Sequence, residues 1–281
     1  MALNRARQFL VLLGTGAAAL ALTLTGIAPA TAYHSPHQTH SRTIDYVNLG
    51  DSYSAGFGSG TQVTGPLPGC LQGSGPTHVT MLDARHRVNL TVNAACAGAT
   101  TTDIAASLPL LAHSLAKAEL VTLTLGANDL DIKGLVLACS TRGTDAACDA
   151  ALRLGRQAIP AVGASAHATL RKIDRATRGK ILVLGYPRLF TTSNGDQALI
   201  SAKHARALNK LGDALNRSIK KATKHTDAKF ISVTGAFNNH GLGANRPWIY
   251  FNLGNLADPF NLHPSTSGYL NGYYPAVKRH L

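Results

Sequence analysis

The apolar residues of this chain fall into short runs, separated by longer stretches of mixed polarity. Five runs hold mainly apolar and β-branched residues, and several of them end at glycine, proline or a polar turn. Runs of this length and composition are typical of strands that are buried on both faces. The pattern predicts strands over residues 44–49, 88–94, 120–125, 181–184 and 230–233.

Two stretches between the strands carry apolar residues at spacings of three and four, the repeat of an amphipathic helix. They are Ile159, Val162, Ala166, Leu170 and Ile173, and then Leu208, Leu211, Leu215 and Ile219. Strands that alternate with helices build βα units and a mostly parallel sheet. The sequence therefore predicts an α/β fold: a three-layer α/β/α sandwich around a central, mostly parallel five-stranded sheet. Ligands of such folds bind beyond the carboxyl ends of the strands.

The first 32 residues have the layout of a secretory signal peptide. Arg5 and Arg7 precede an apolar stretch over residues 9–27, and residues 30–32 are small, as at a cleavage site. We expect cleavage near residue 32 and export from the cell. The alternative is an uncleaved membrane anchor, because the apolar stretch is close to spanning length.

A short polar segment follows the expected signal peptide. Residues 33–42 contain three histidines, and we expect a flexible tail. No linker-like stretch or internal repeat divides residues 43–281, which predicts a single domain there. We expect this domain to act as a monomer.

Four cysteines lie in the expected mature chain: Cys70, Cys96, Cys139 and Cys148. An even number of cysteines in an exported protein indicates two disulfides. Three pairings are open, and Cys70–Cys96 with Cys139–Cys148 is favoured because each bond closes a local loop. No Cys-x-x-Cys spacing is present, so a metal site is not expected at these residues.

The charge balance is strongly basic. Lys and Arg number 27 against 14 for Asp and Glu, a formal net charge of +13, while 45% of the residues are hydrophobic. This composition excludes a disordered chain but raises the question of a nucleic-acid partner. Seven of the cations crowd residues 203–224, opposite the apolar positions of a predicted helix. We therefore expect a solvated helix face and no nucleic acid, with weak contact to an anionic lipid or cell-wall polymer as the alternative.

Three candidate functional residues follow successive predicted strands. Ser52 follows the first strand, at the expected N-terminus of a helix, where unpaired N–H groups and the helix dipole favour an oxyanion. Gly98 follows the second strand and leaves its N–H open to a ligand. Asn128 follows the third strand and could donate its amide. Taken singly, each has a plain structural alternative: a helix cap, a turn glycine or an Asx turn.

A histidine that precedes a proline, His263-Pro264, lies late in the chain and is a candidate general base. The order Gly-Asp-Ser-Tyr at Ser52, Gly98, Gly-Ala-Asn-Asp at Asn128 and His263-Pro264 resembles the SGNH hydrolases, also called the GDSL esterase and lipase family. The amino-acid sequences of these motifs are most similar to those of secreted bacterial lipases and phospholipases of the family. The resemblance spans residue 44 to the C-terminus and implies a flavodoxin-like fold.

The resemblance also implies a role for each residue. Ser52 would be the nucleophile and His263 the general base, while the Ser52 N–H, the Gly98 N–H and the Asn128 side chain would hold the oxyanion. The substrate would be a lipid or short-chain acyl ester, and neither a cofactor nor a metal is implied.

One departure from the family pattern concerns the group that orients the histidine. Many members carry an acid three residues before it, and that position here is Phe260. Either the Asp258 side chain reaches back, or a backbone carbonyl near Asn261 accepts from the imidazole. We expect the carbonyl, since Pro259 stiffens the segment.

The expected function is that of a secreted serine esterase or lipase. A carbohydrate acetyl esterase is the alternative within the same chemistry. An alternative of another class is a non-catalytic basic protein that binds envelope polyanions.

Overall fold

The computed structural model of the chain describes residues 43–281, and the expected signal peptide and polar tail lie outside the described residues. The strands are β1 (Ile44–Gly50), β2 (Gln62–Thr64), β3 (Leu71–Gly73), β4 (Val88–Asn93), β5 (Leu120–Thr124), β6 (Lys180–Leu184) and β7 (Ala228–Ile231). The helices are α1 (His78–Asp83), α2 (Thr101–Ser107), α3 (Ala112–Lys117), α4 (Ile132–Cys139), α5 (Asp145–Ala176), α6 (Ala202–Ala222), α7 (Thr266–Gly268) and α8 (Tyr274–Lys278).

Five of the strands form one parallel sheet in the order β4-β1-β5-β6-β7. The chain passes from β1 outward to β4 and then back across β1 to β5. The sheet therefore reverses its winding beside β1, and ligands of doubly wound folds bind at such a reversal, beyond the carboxyl ends of the strands. The predicted α/β class and five-stranded parallel sheet are confirmed.

Four of the predicted strands agree with the structure to within one residue at each end. The prediction for the fifth strand was wrong by two residues, since β7 covers Ala228–Ile231 rather than residues 230–233. The reason is its partner: β7 pairs in register with β6 as far as Leu184 and Ile231, and β6 ends at Leu184. Residues beyond Ile231 have no strand beside them to extend the ladder.

Helices cover the sheet on both sides. On one side α5 packs against α2, α4 and α6, and on the other α1 packs against α8 and the π-helical turn Tyr269–Tyr273. The two predicted apolar series lie inside α5 and α6. The buried side of α6 carries Leu208, Leu211, Leu215 and Ile219. Exposed cations on α6 and the turn after it form what we call the α6 basic face: Lys203, Arg206, Lys210, Arg217, Lys220, Lys221 and Lys224.

The expected helix after Ser52 is not formed, and residues 51–60 are a series of turns. A first helical turn closes where the Ala55 N–H donates to the Asp51 carbonyl at 2.9 Å. The chain then takes positive φ at Gly56 (82°) and Gly58 (93°), and this left-handed backbone ends the helical path.

Both disulfides join the favoured pairs. Cys70–Cys96 connects the short antiparallel hairpin of β2 and β3 to the loop after β4, and Cys139–Cys148 connects α4 to the first turn of α5. The sequence pattern did not reveal the hairpin because each of its strands has only three residues. Within residues 43–281, no helix is both long enough and apolar enough to cross a membrane.

Candidate active site

Ser52 lies in the first turn beyond β1, at the carboxyl edge of the sheet, and is 7% exposed. The preceding Gly50 has φ of 113°, and a Cβ there would lie 2.4 Å from the Thr124 carbonyl oxygen of the neighbouring strand. Only glycine allows this close approach. This close contact between Gly50 and the neighbouring strand lets the backbone turn at the end of β1, so that Ser52 lies at the edge of the sheet.

The carboxylate of Asp51 stabilises this turn through hydrogen bonds. It is fully buried and accepts hydrogen bonds from Thr124 Oγ1 (2.6 Å), the Tyr53 N–H (3.0 Å) and the Tyr186 hydroxyl. Burial raises the pKa of Asp51, and the hydrogen bonds oppose that rise. Because a buried carboxylate is stable only when its oxygens are satisfied, these three donors fix the residue next to Ser52.

His263 reaches Ser52 from the C-terminal loop. Its Nε2 lies 2.7 Å from Ser52 Oγ, and the ring is 4% exposed. Its Nδ1 lies 3.2 Å from the main-chain carbonyl of Phe260. A carbonyl only accepts, so the proton belongs on Nδ1 and the lone pair on Nε2 faces the serine hydroxyl. The ring therefore has the tautomer that a general base for Ser52 needs.

The surroundings of His263 favour the neutral imidazole. Burial, and then the charge of Lys133, lower its pKa to about 3, while the carbonyls of Phe260 and Asn261 act in the opposite direction. No carboxylate is hydrogen-bonded to the ring in the described part of the chain. A ring that is neutral at rest is ready to accept a proton.

Asp258 does not contact His263. Its carboxylate accepts from the Phe260 N–H (2.9 Å), the Tyr250 hydroxyl (3.0 Å) and Asn252 Nδ2 (3.4 Å). The side chain of Asn261 is also engaged elsewhere, with Asn252 and Asn255. The alternative in which the Asp258 side chain reaches the imidazole does not agree with this geometry. The main-chain carbonyl of Phe260 is the group beside Nδ1 of His263.

The candidate oxyanion donors lie on three loops, those that follow β1, β4 and β5. The N–H groups of Ser52 and Gly98 have no acceptor among residues 43–281. Gly98 has φ of 80°, and nothing lies within 4 Å of the position that a Cβ would occupy. Asn128 uses one amide proton to bond the Ala99 carbonyl at 2.9 Å, which leaves its second proton free to donate.

A narrow cavity of about 70 Å³ starts at Ser52, Asn128 and His263. Its walls are mainly apolar and come from α4, α6 and the loop after β6: Ile132, Val136, Leu189, Leu208, Leu211 and Leu215. Gly98 lines a separate groove of about 390 Å³. The structure thus brings Ser52, His263 and Asn128 to one cavity, whereas Gly98 does not line that cavity.

Two contributions to this site were missed from the sequence. The sequence pattern gives Asp51 no role beyond its place in the Gly-Asp-Ser-Tyr block, and it gives no sign of the hydrogen bond from Tyr186, 135 residues later. Tyr53 donates to the Leu262 carbonyl at 2.6 Å and so connects the serine loop to the histidine loop. The only signal for Asp51 was a charged residue that directly follows a buried strand.

A metal centre has no basis in the described residues. Within residues 43–281, no group of three or more His, Cys, Asp or Glu side chains is placed to hold an ion. The four cysteines are all in disulfides.

Comparisons with known proteins agree on one family. The model of the GDSL-like lipase/acylhydrolase family matches residues 49–270. A lipase of Streptomyces rimosus is 31% identical over 242 residues, which cover 84% of this chain and 86% of that protein. The crystal structure of an extracellular lipase from Streptomyces rimosus has a TM-score of 0.75 at 26% identity and covers 85% of this chain and all of its own. Phospholipase A1 from Streptomyces albidoflavus has the same fold, with a TM-score of 0.74 at 24% identity over 84% of this chain and 98% of its own.

Proposed function

The chain belongs to the GDSL-like lipase/acylhydrolase family and is a carboxylic ester hydrolase, and from this we propose that it cleaves acyl esters through an acyl-enzyme on Ser52. The 2.7 Å contact between Ser52 Oγ and His263 Nε2 carries the proposal. A serine hydroxyl becomes a good nucleophile when a base within hydrogen-bond reach removes its proton. His263 is that base, and the Phe260 carbonyl keeps its ring in the required tautomer.

The reaction has two halves. In the first, Ser52 Oγ attacks the ester carbonyl while its proton passes to Nε2 of His263, and that proton then goes to the leaving alcohol as the ester C–O bond breaks. In the second, His263 removes a proton from water, and the water oxygen attacks the acyl carbonyl. The C–O bond to Ser52 then breaks, the proton passes from His263 to Ser52 Oγ, and the acid is released. The imidazole is neutral again at the end of each half.

Three donors would hold the negative charge that forms on the carbonyl oxygen. The N–H groups of Ser52 and Gly98 donate to no acceptor in the described part of the chain, and Asn128 is anchored by one amide proton, which leaves the other free. Each such donor is typically worth about 3–4 kcal/mol of the barrier. The anchoring of Asn128 sets its amide in place before substrate arrives.

The apolar walls of the cavity favour the acyl chain of a lipid over an acetyl group on a sugar. Aliphatic side chains from α4 and α6 extend the cavity away from Ser52. Burying the methylenes of a chain there contributes about 0.8 kcal/mol each, a gain that an acetyl group cannot make. The hydrogen bond between Ser52 and His263 likewise argues against the alternative of a basic protein without catalytic activity.

The proposed place of action is outside the cell. Two disulfides are typical of exported proteins, and the similar Streptomyces rimosus structure is described as an extracellular lipase. The mass of the protein from culture medium would test cleavage near residue 32.

We also propose that the α6 basic face contacts anionic lipid. Of its seven cations, Lys203 is paired with Asp145 at 2.8 Å, while the other six have no carboxylate partner in the described part of the chain. The same helix lines the catalytic cavity with its opposite side. Contact along this face would keep the enzyme near a source of acyl esters.

The test of the ester-hydrolase mechanism is an activity series on the wild type, Ser52→Ala and the control Ser193→Ala. Ser193 is exposed, and within the described residues its hydroxyl bonds only to the neighbouring Asn194. We expect Ser52→Ala to lose at least 1000-fold in kcat on p-nitrophenyl butyrate and Ser193→Ala to match the wild type. Esters from acetyl to palmitoyl and acetylated xylan would then rank the acyl groups. Wild-type activity in Ser52→Ala would refute the mechanism, and activity confined to acetylated sugars would refute the lipid preference.

A further inference from the structure

Lys133 lies at the boundary between two apolar recesses. It is the second residue of α4, and its side chain lines both the cavity at Ser52 and an adjoining groove of about 310 Å³. Val136 and Leu262 form the rest of the shared boundary. The catalytic cavity and the groove therefore meet beside one cation.

The groove is also largely apolar. Leu137, Leu199, Phe251 and Leu256 contribute to its walls, and Leu137 is 61% exposed to solvent. An exposed leucine at the rim of an apolar groove is a surface that an apolar ligand would cover with a gain in free energy. A second hydrocarbon chain is a ligand of suitable chemistry.

Lys133 has no counter-charge paired with it among residues 43–281. Nearby Asp131 instead caps α4 by accepting from the Gly134 N–H at 3.1 Å. The other cation at the catalytic cavity, Arg188, is paired with Asp213 at 2.9 Å.

The groove contains two further charged residues of opposite sign, Arg142 and the ionised Asp258, so its net charge remains that of one cation. The carboxylate of Asp258 is occupied by three donors, from Tyr250, Asn252 and the Phe260 main chain. The charge of Lys133 also contributes to the low pKa of His263, which places its ammonium group within electrostatic range of the imidazole.

We propose that Lys133 is a subsite for the phosphate of an anionic diacyl lipid, with the cleaved acyl chain in the cavity at Ser52 and the second chain in the adjoining groove. Two chains that diverge from a phosphate-bearing glycerol match two apolar recesses that meet beside an unpaired cation. The bond that breaks is the carboxylic ester C–O bond, water supplies the OH of the released acid and the H of the released alcohol, and the phosphodiester stays intact. This inference rests on the proposed function.

The experiment compares two lipids that differ in the phosphate group. Dioleoyl phosphatidylglycerol and dioleoylglycerol are presented in the same neutral detergent micelles to the wild type, Lys133→Gln, Lys133→Arg and Lys117→Gln. Lys117 is exposed in α3, and it lines neither recess, so its variant removes an equal charge elsewhere.

We expect Lys133→Gln to lower kcat/KM on the phospholipid about tenfold relative to dioleoylglycerol, the loss typical of one charge-assisted contact. Lys133→Arg should stay within about threefold of the wild-type ratio, and Lys117→Gln should leave that ratio unchanged. An unchanged ratio in Lys133→Gln would overturn the subsite. Failure of the wild type on both lipids and on p-nitrophenyl butyrate would instead refute the proposed function.

Discussion

The hydroxyl of Tyr53 donates a hydrogen bond of 2.6 Å to the main-chain carbonyl of Leu262. Tyr53 follows Ser52 in the chain and Leu262 precedes His263, so one bond joins the neighbours of both reacting residues. Leu262 has φ of 69°, a left-handed conformation that is strained for a leucine. The tyrosine hydroxyl is thus one of the contacts that hold this strained backbone at the site.

Replacing Tyr53 by phenylalanine should therefore slow the chemical step. The ring contacts with Tyr186 and His263 remain possible, but the carbonyl of Leu262 loses its donor. We expect kcat on p-nitrophenyl butyrate to fall about tenfold, because small displacements of reacting groups are costly, with KM within about twofold. Tyr274→Phe is the control, since its hydroxyl has no hydrogen-bond partner in the described residues. An unchanged kcat in Tyr53→Phe would show that the bond does not position His263.

Asp258→Asn should have little effect on catalysis. The carboxylate serves its own loop and does not touch the imidazole. We expect kcat/KM within about threefold of the wild type between pH 6 and 9. A loss near ten-thousandfold, the size seen when the acid of a catalytic triad is removed, would mean that Asp258 orients His263 during the reaction.

Gly98→Ala tests the oxyanion role with a matched control elsewhere in the chain. Gly98 and Gly195 have φ of 80° and 79°, and neither has an atom within 4 Å of a new Cβ. Both alanine variants should lose about 1–2 kcal/mol of unfolding free energy through backbone strain. Only Gly98→Ala should lose activity, by about 100-fold in kcat, because its N–H would move from the oxyanion. Equal kcat in the two variants would remove Gly98 from the catalytic machinery.

His78 makes the protein sensitive to acid. It is fully buried against Tyr269 and Tyr273, and neither ring nitrogen has a hydrogen-bond partner among residues 43–281. Burial lowers its pKa from 6.5 to about 3. The unfolded chain therefore binds a proton below pH 6.5 that the folded chain refuses until about pH 3. Stability is full above pH 6.5 and falls as the pH drops through that window, by about 1.4 kcal/mol per pH unit from this residue.

Urea unfolding of His78→Leu at pH 6, 5 and 4 checks this assignment. The variant should show a shallower fall of unfolding free energy with acid than the wild type, whatever constant offset the new side chain introduces. His113→Leu, at an exposed position, should keep the wild-type slope. Parallel slopes for the wild type and His78→Leu would exclude His78 as the source of acid sensitivity.

The α6 basic face should govern binding to anionic bilayers. Replacing Lys220, Lys221 and Lys224 by glutamate changes the charge of the face by six units without touching the cavity lining. At about 1 kcal/mol for each cation near the surface, sedimentation with vesicles that contain phosphatidylglycerol should fall by more than tenfold. The kcat on soluble p-nitrophenyl butyrate should not change. Equal sedimentation of wild type and variant, or binding only to wall polymer, would contradict the assignment to lipid.

The sequence predicted the sheet well because its strands are uniformly apolar and end at clear turns. The blocks at Ser52, Gly98, Asn128 and His263 were recognisable because each lies just after a strand or beside a proline. The sequence predicts a helix after Ser52 where the structure has turns, because the positive φ of Gly56 and Gly58 cannot be predicted from the presence of glycine alone. The contact from Tyr186 to Asp51 joins residues that only the folded sheet brings together.

The Phe260 carbonyl beside His263 determines which charges are present in the site before and during the proposed reaction. A carboxylate in that place would be a permanent anion, whereas a carbonyl is an uncharged dipole that no pH in the working range can titrate. In the free enzyme, the Ser52 hydroxyl, the His263 imidazole and the Phe260 carbonyl carry no net charge. Each half-reaction then creates a cation on the ring and an anion on the substrate oxygen, and abolishes both, so the charges that catalysis stabilises exist only while a bond is changing.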